Sequence, residues 1–269
     1  MITPQHSPAL GDAVTRLLAG EHHDPHSVLG VHPRDGGGAV VRAFHPRATA
    51  AWVVVDGTPT AMVRLDPRGL YEAVLTTVPT SYWLRMRDGE HIWEADDPYR
   101  FLPTLGELDL HLISQGQHHQ LWTRLGAQVL QHQGVAGTAF AVWAPNARGV
   151  RVVGDMGGWD ERLHPMRTLG ASGVWELFIP GVAPGARYKF DVTRADGGHI
   201  LKADPLARAA QPPPATASVV TVSSYSWNDS TWMTDRASAR WEERPVSIYE
   251  AHLGSWRRGQ CPHRTRLDL

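Results

Sequence analysis

Apolar residues along this 269-residue chain recur at two different periods, and the switches between them divide it into parts. At the start, Leu10, Val14, Leu17 and Leu18 repeat at the spacing of one helical face, which predicts a short helix ending near Gly20. His22-His23-Asp24-Pro25-His26-Ser27 then reads as loop from its proline and polar content. From Ala39 the period falls to two, or to short apolar runs, and strands are predicted over 40–44, 51–55, 61–65, 70–75 and 82–86. Asp88-Gly89 closes a hairpin, since glycine supplies the positive φ that such a turn needs. Helical spacing returns over 105–130, where Leu121, Leu125, Val129 and Leu130 share a face, and 131–137 reads as a polar, Gly-containing linker. A second set of strands is predicted over 139–143, 149–153, 174–179, 187–192 and 199–202. Pro212-Pro213-Pro214 cannot join a ladder, and 216–222 reads as a closing strand. Residues 223–243 are polar and irregular, with Trp227, Trp232 and Trp241 expected to pin them. An apolar strand over 246–252 belongs to neither set.

The two sets are one pattern written twice. Ala43-Phe44-His45-Pro46-Arg47-Ala48 lies on Val142-Trp143-Ala144-Pro145-Asn146-Ala147, and Gly69-Leu70-Tyr71-Glu72 on Gly173-Val174-Trp175-Glu176. Val53-Val54-Val55-Asp56-Gly57 falls near Val150-Arg151-Val152-Val153-Gly154, and Asp97-Pro98-Tyr99 on Asp204-Pro205-Leu206. Order and spacing persist while most residues differ, as in a duplicated fold unit. Short strands at this spacing imply an all-β fold of two tandem antiparallel immunoglobulin-like β-sandwiches, with short helices before and between them. The expected divisions are a helical segment at 1–20, a first sandwich at 21–104, a helical linker at 105–137 and a second sandwich at 138–222. A connector at 223–245, a new element at 246–258 and a tail at 259–269 complete the chain.

Composition narrows the function classes. The net charge is −1 with no basic block, so nothing steers the chain to nucleic acid or to an anionic membrane surface. No apolar run approaches the roughly 20 residues of a membrane span, and the start lacks a signal-peptide core. One cysteine, Cys261, forms no internal disulfide, which suits a reducing cytoplasm. Tryptophan is the unusual entry in the composition, 11 against 5 Phe and 6 Tyr, and raises the prior for flat faces that meet sugars or partners.

Gly154-Asp155-Met156-Gly157-Gly158-Trp159-Asp160 carries one such candidate. Glycines leave room for a ligand beside the Trp159 ring, and an indole offers a flat apolar face. Lys189, in Tyr188-Lys189-Phe190, is able to donate to hydroxyls without changing protonation. The plainer reading has Trp159 only packing its turn. Trp143 and Trp175 lie among apolar strand neighbours and are expected in the core. The first copy has Asp56-Gly57-Thr58-Pro59 where the second has its Trp turn, and reads as a structural spacer. His22, His23, His26, His118 and His119 tempt a metal reading, yet zinc needs three or four ligands in fixed geometry. No metal and no cofactor are expected, and His26 is expected to bond backbone.

Phe140-Ala141-Val142-Trp143-Ala144-Pro145-Asn146-Ala147, the Gly-Gly-Trp-Asp turn, Tyr188-Lys189-Phe190 and Lys202-Ala203-Asp204-Pro205 together resemble the carbohydrate-binding module family 48 sandwich of α-glucan-active enzymes. His23-Asp24-Pro25-His26, Asp97-Pro98-Tyr99-Arg100-Phe101 and Leu105-Gly106-Glu107-Leu108-Asp109-Leu110-His111 resemble the opening domain of bacterial glycogen branching enzymes. Ser247-Ile248-Tyr249-Glu250-Ala251-His252-Leu253-Gly254-Ser255-Trp256-Arg257-Arg258 resembles the entry to that family's (β/α)8 barrel. The resemblance implies glucan-binding roles for Trp159 and Lys189, with an α-1,4-glucan or glycogen as partner. It also implies a structural role for His26.

This sequence departs from the binding relatives at His199-Ile200-Leu201, where they often carry a second aromatic. The family reaction cleaves an α-1,4 chain and re-attaches it through an α-1,6 link, with carboxylates on the barrel. No Asp or Glu here matches those motifs, so no catalytic residue is assigned, and no branching activity is expected of this chain by itself. A barrel needs roughly 250 residues. The only part of it expected here is its first strand, so a separate barrel polypeptide is a conceivable partner. Residues 259–269 do not resemble the family's continuation, which suggests a truncated or frame-shifted reading frame near Arg258. The rival readings are a non-enzymatic glucan-binding scaffold and the front of a debranching or trehalose-forming relative.

Overall fold

The computed structural model describes residues 8–243 and 245–252, and the chain divides into two compact units after Val222. In the first unit, α1 (Pro8–Ala19) precedes eight strands. These are β1 (Gly30–Pro33), β2 (Ala39–Phe44), β3 (Ala50–Val55), β4 (Thr58–Ala61), β5 (Val63–Asp66), β6 (Leu70–Leu75), β7 (Trp83–Asp88) and β8 (His91–Asp96). After α2 (Glu107–Ser114) come β9 (Gly126–His132), β10 (Val135–Trp143), β11 (Gly149–Gly154), β12 (Arg167–Thr168) and β13 (Val174–Pro180). They are followed by β14 (Arg187–Thr193), β15 (His199–Lys202), β16 (Ala209–Ala210) and β17 (Ser218–Val219). The first sandwich stacks the sheet β1-β2-β6-β5 on β4-β3-β7-β8, and the second stacks β12-β13-β10-β9 on β11-β14-β17-β16, with β15 added beside β14. Every ladder is antiparallel.

Strand alternation builds both cores. Val41, Ala43, Tyr71 and Ala73 of one sheet meet Ala51, Val53, Leu84 and Met86 of the other. In the second sandwich Phe140, Val142, Trp175 and Leu177 meet Val150, Val152, Tyr188 and Phe190. Burying a large apolar side chain contributes about 1.5–3 kcal/mol, so each set holds its two sheets together.

The duplication extends to the register. Ala43 pairs with Tyr71 as Val142 pairs with Trp175. Val53 pairs with Leu84 as Val152 pairs with Phe190, so Val53 corresponds to Val152 and Asp56 to Asp155. The sequence comparison set Val53 two residues earlier. A slip of two keeps every side chain on its face, which is why the pattern alone does not detect it.

The linker differs from the expected helix. Only Glu107–Ser114 is α-helical, and the chain is already strand from Gly126. Gly126 takes φ +83° in close approach to the Leu206 carbonyl, a conformation that ends any helix there. Residues 126–132 and 135–143 are therefore a hairpin of the second sandwich and not linker. The rest of the linker covers the outer face of that hairpin's sheet. Phe101 packs edge-on against Phe178 at 4.8 Å, and Leu105 and Leu125 close over Ala141 and Val174. Arg167 bridges Glu176 at 2.9 Å and donates to the Phe101 carbonyl at 3.1 Å, while Thr104 donates to the other Glu176 oxygen.

Two further expectations are corrected. Trp175 is buried, but Trp143 is 57% exposed. Phe140 and Val142 face the core, so strand parity turns Trp143 to the outer face, where its Nε1 donates to the Ser172 carbonyl at 3.2 Å. The closing strand shrinks from 216–222 to Ser218–Val219.

In the second unit, α3 (Ser230–Ser238) and a short 3-10 turn (Trp241–Glu243) are the only regular elements among the described residues. Trp227 and Trp232 are more than half exposed, and Trp227 meets Tyr225 edge-on at 4.9 Å. Residues 246–252 form no strand. Val246 and Ile248 stay exposed, and an isolated strand has no ladder to hold it. Residues 253–269, with Cys261 and the atypical tail, lie outside the described residues.

Candidate functional site

The Trp159 turn follows β11 directly. Asp155–Gly157 forms one 3-10 turn, then Gly158 and Trp159 take φ +60° and +62° in succession. A left-handed conformation costs a non-glycine residue about 1–2 kcal/mol, so Trp159 is held there by its surroundings. Its backbone N–H donates to the Gly154 carbonyl at 2.9 Å. Its indole Nε1 donates to Asp155 Oδ1, also at 2.9 Å.

Asp155 is fixed in turn by Arg187 on β14. The Arg187 backbone N–H and Nε donate to Oδ2 at 2.9 and 3.0 Å, and Nη2 to Oδ1 at 2.9 Å. These bonds hold the Asp155 carboxyl down to about 2, so it is ionised at any physiological pH. The ring of Trp159 is thereby fixed by its polar edge, with the residue 37% exposed.

Lys189 lies two residues beyond Arg187 on β14. Tyr188 and Phe190 point into the core, so Arg187 and Lys189 share the outer face. Lys189 Nζ donates to Thr216 Oγ1 at 2.8 Å. Trp159 is thus tied through Asp155 to Arg187, which shares the outer face of β14 with Lys189. Asp155, Arg187 and Thr216 were not singled out from sequence. Arg187 had a signal, because period-two spacing puts it on the Lys189 face.

Leu201 pairs with Asp191 and falls on that same face, 39% exposed, where the sequence comparison noted the missing aromatic. Beside it, Arg151, Asp191 and His199 form a cluster, with Arg151 to Asp191 at 3.0 Å and His199 to Asp191 at 3.1 Å.

The histidines considered as metal ligands are engaged separately. His22 and His23 stack at 5.4 Å, and His118 pairs with Asp109 at 3.1 Å. His26 lacks the backbone bond expected of it: both ring nitrogens are out of solvent with no hydrogen-bond partner among the described residues, and the ring meets Tyr99 edge-on at 5.2 Å. Burial holds it neutral, down to about 3. Among the described residues no group of three or more His, Cys, Asp or Glu is arranged to hold a metal ion, and no helix is long and apolar enough to cross a membrane.

Residues 11–99 match the family model for the N-terminal domain of the alpha-1,4-glucan branching enzyme GlgB. Residues 124–207 match carbohydrate-binding module 48, the isoamylase N-terminal domain. The 1,4-alpha-glucan branching enzyme GlgB of Kitasatospora aureofaciens is 55% identical over 94% of this chain and 33% of its own length. GlgB 1 of Streptomyces coelicolor is 54% identical over 91% of this chain and 31% of its own length. The chain therefore spans about a third of the curated relatives it matches. Among solved structures, a type I pullulanase from Bacillus subtilis complexed with maltose aligns with 74% of this chain and 27% of its own length, at 16% identity and TM-score 0.34, too weak a likeness to bear on function. Two family models in tandem, with relatives about half identical along nearly the whole chain, place this sequence in the family of bacterial 1,4-alpha-glucan branching enzymes, as the counterpart of their N-terminal region.

Proposed function

We propose that the second sandwich holds an α-1,4-glucan chain, as in glycogen, on the face carrying Trp159 and Lys189, and that it does so for the branching reaction named in its relatives. The observation that carries this reading is the fixed yet partly exposed ring of Trp159. Asp155 and Arg187 anchor its polar edge, and 37% of the residue stays exposed to solvent. A sugar ring laid on the indole removes apolar area from water at about 25 cal/mol per Å², and an already ordered ring loses little further freedom. Lys189, on the outer face of β14, adds a donor for hydroxyls. The role given to these residues is holding the chain, with no part in bond cleavage.

Glycogen co-sedimentation tests this directly. The chain is expected to sediment with glycogen, and Trp159→Ala to remain in the supernatant. Equal sedimentation of both proteins overturns the reading. Branching assayed on amylose in parallel separates holding a chain from acting on it.

A further inference from the structure

Two segments tie the sandwiches of the first unit together, and they differ in kind. One is the chain that runs between them. Tyr99 packs against both cores, and its hydroxyl donates to the Pro165 carbonyl at 3.3 Å. Phe101 is buried in the second sandwich with Ala139 and Phe178. Arg167 and Glu176, both buried, hold the same stretch through the Phe101 carbonyl and the Thr104 hydroxyl. This tie is covalent, and its apolar part lies out of water.

The other tie comes from the start of the chain. Leu17 of α1 is buried with Val28, Leu29 and Leu70, so the apolar face of the helix is committed to the first sandwich. The segment that leaves the helix crosses to the second. The Gly20 N–H donates to the Leu17 carbonyl at 3.0 Å and the Glu21 N–H to the Arg16 carbonyl at 2.9 Å. That pattern ends a helix on a left-handed residue, and Gly20 takes φ +74°. Its carbonyl lies against Gly149 at the start of β11, where a Cβ on Gly149 would come within 2.1 Å of the oxygen. A Cβ on Gly20 would come within 1.1 Å of Arg151 Nη2, and the Arg151 guanidinium is held on Asp191 at 3.0 Å. Glu21 bridges Arg148 at 2.6 Å, and the His23 carbonyl accepts from the Thr168 N–H at 2.7 Å.

Each of these contacts is polar or backbone against backbone. Arg148 and Glu21 are partly in water, where such a pair contributes little. A contact of this kind opens at a lower free energy than a core does. Room for movement exists as well. A cleft of about 1050 Å³ is lined by His45 and Trp93 of the first sandwich and by Met156 and Val182 of the second.

We propose that residues 20–23 are a releasable clasp, which comes off the second sandwich while both sandwiches stay folded and leaves residues 99–101 as the hinge. Release frees the first sandwich to turn relative to the Trp159 face without unfolding either. The device does not rest on what that face binds.

Amide hydrogen exchange followed by NMR in the full chain reads the clasp directly. The Thr168 N–H reports on it, because its acceptor is the His23 carbonyl. The Met166 N–H, bonded to the Val150 carbonyl, reports on the second sandwich, and the Met62 N–H, bonded to the Ala51 carbonyl, on the first. Thr168 is expected to exchange at least about tenfold faster than Met166 in the unmodified chain. Gly149→Ala and Gly20→Ala push the segment off from opposite sides. Each is expected to speed Thr168 by a further factor of about ten and to leave Met166 within about twofold. Gly20→Ala also strains the end of α1, so Gly149→Ala decides the matter if Met62 speeds up in the former. Thr168 and Met166 exchanging together in the unmodified chain and in Gly149→Ala overturns the clasp, because the segment then opens only when the sandwich unfolds. A Thr168 rate unchanged by Gly149→Ala overturns it equally.

Discussion

The hydroxyl of Tyr82 donates to Asp97 Oδ2 at 2.7 Å inside the first sandwich, and Tyr188 makes the same bond to Asp204 in the second. Each Asp also caps the next turn, accepting from the backbone N–H of Tyr99 and of Leu206. Burial pushes the Asp97 carboxyl up to about 6 and the Asp204 carboxyl upward, while the tyrosine bond pulls each back. The pair is the interior shared by both copies of the duplicated unit, and it ties the residue just before β7, or the strand β14, to the exit loop of its own sandwich.

Tyr82→Phe and Tyr188→Phe are each expected to lower unfolding free energy by about 1–3 kcal/mol, because a buried carboxyl oxygen loses its donor without gaining water. Urea unfolding checks this. A loss below about 0.5 kcal/mol in both variants means the bond does not hold the exit loop.

Asp155→Ala is expected to weaken glycogen binding while leaving the fold intact. The carboxylate and its partner Arg187 are at the surface, where such pairs contribute little to stability. What is lost is the fixed orientation of the Trp159 indole. Ordering one side chain costs about 0.5–1.5 kcal/mol, which corresponds to a twofold to tenfold rise in Kd. Binding isotherms and thermal melts on the same preparation separate the two effects.

The sandwich architecture was legible because alternation decides which side of a strand is buried, and Val53 or Phe140 announces it. The linker was not, because Leu121, Leu125 and Val129 fit a helical spacing while belonging to a turn and a strand. What overrides the spacing is Gly126, whose positive φ is required by a distant loop at Leu206. Trp143 was misjudged for a related reason: apolar neighbours do not tell which face a residue takes when linker and core cover both faces of its strand. At the site, Trp159 and Lys189 stood out singly, whereas the Asp155–Arg187 bridge spans 32 residues and appears only in the fold.

Leu201→Trp restores an aromatic to the face that carries Lys189. Leu201 is partly exposed on β15, opposite Asp191, so an indole is accommodated without entering the core. Covering roughly 40–60 Å² more of a sugar ring at about 25 cal/mol per Å² is worth about 1–1.5 kcal/mol, a fivefold to tenfold gain in affinity for maltoheptaose. Unchanged affinity in calorimetry places the glucan path away from β15.

Acid should destabilise the first unit through His164. Its folded-state value of about 4 lies below the ordinary 6.5, so between those values the unfolded chain binds the extra proton. Stability from this group is present above pH 6.5 and is lost as the pH falls toward 4. Asp97, raised to about 6, works with the opposite sign across the lower part of the same range, so the slope of the wild-type protein alone is ambiguous. The comparison with His164→Gln isolates the histidine. Between pH 7 and pH 5 the wild type is expected to lose roughly 1–2 kcal/mol more than the variant. Parallel pH dependences in urea unfolding mean that the His164 ring accepts its proton in the folded state.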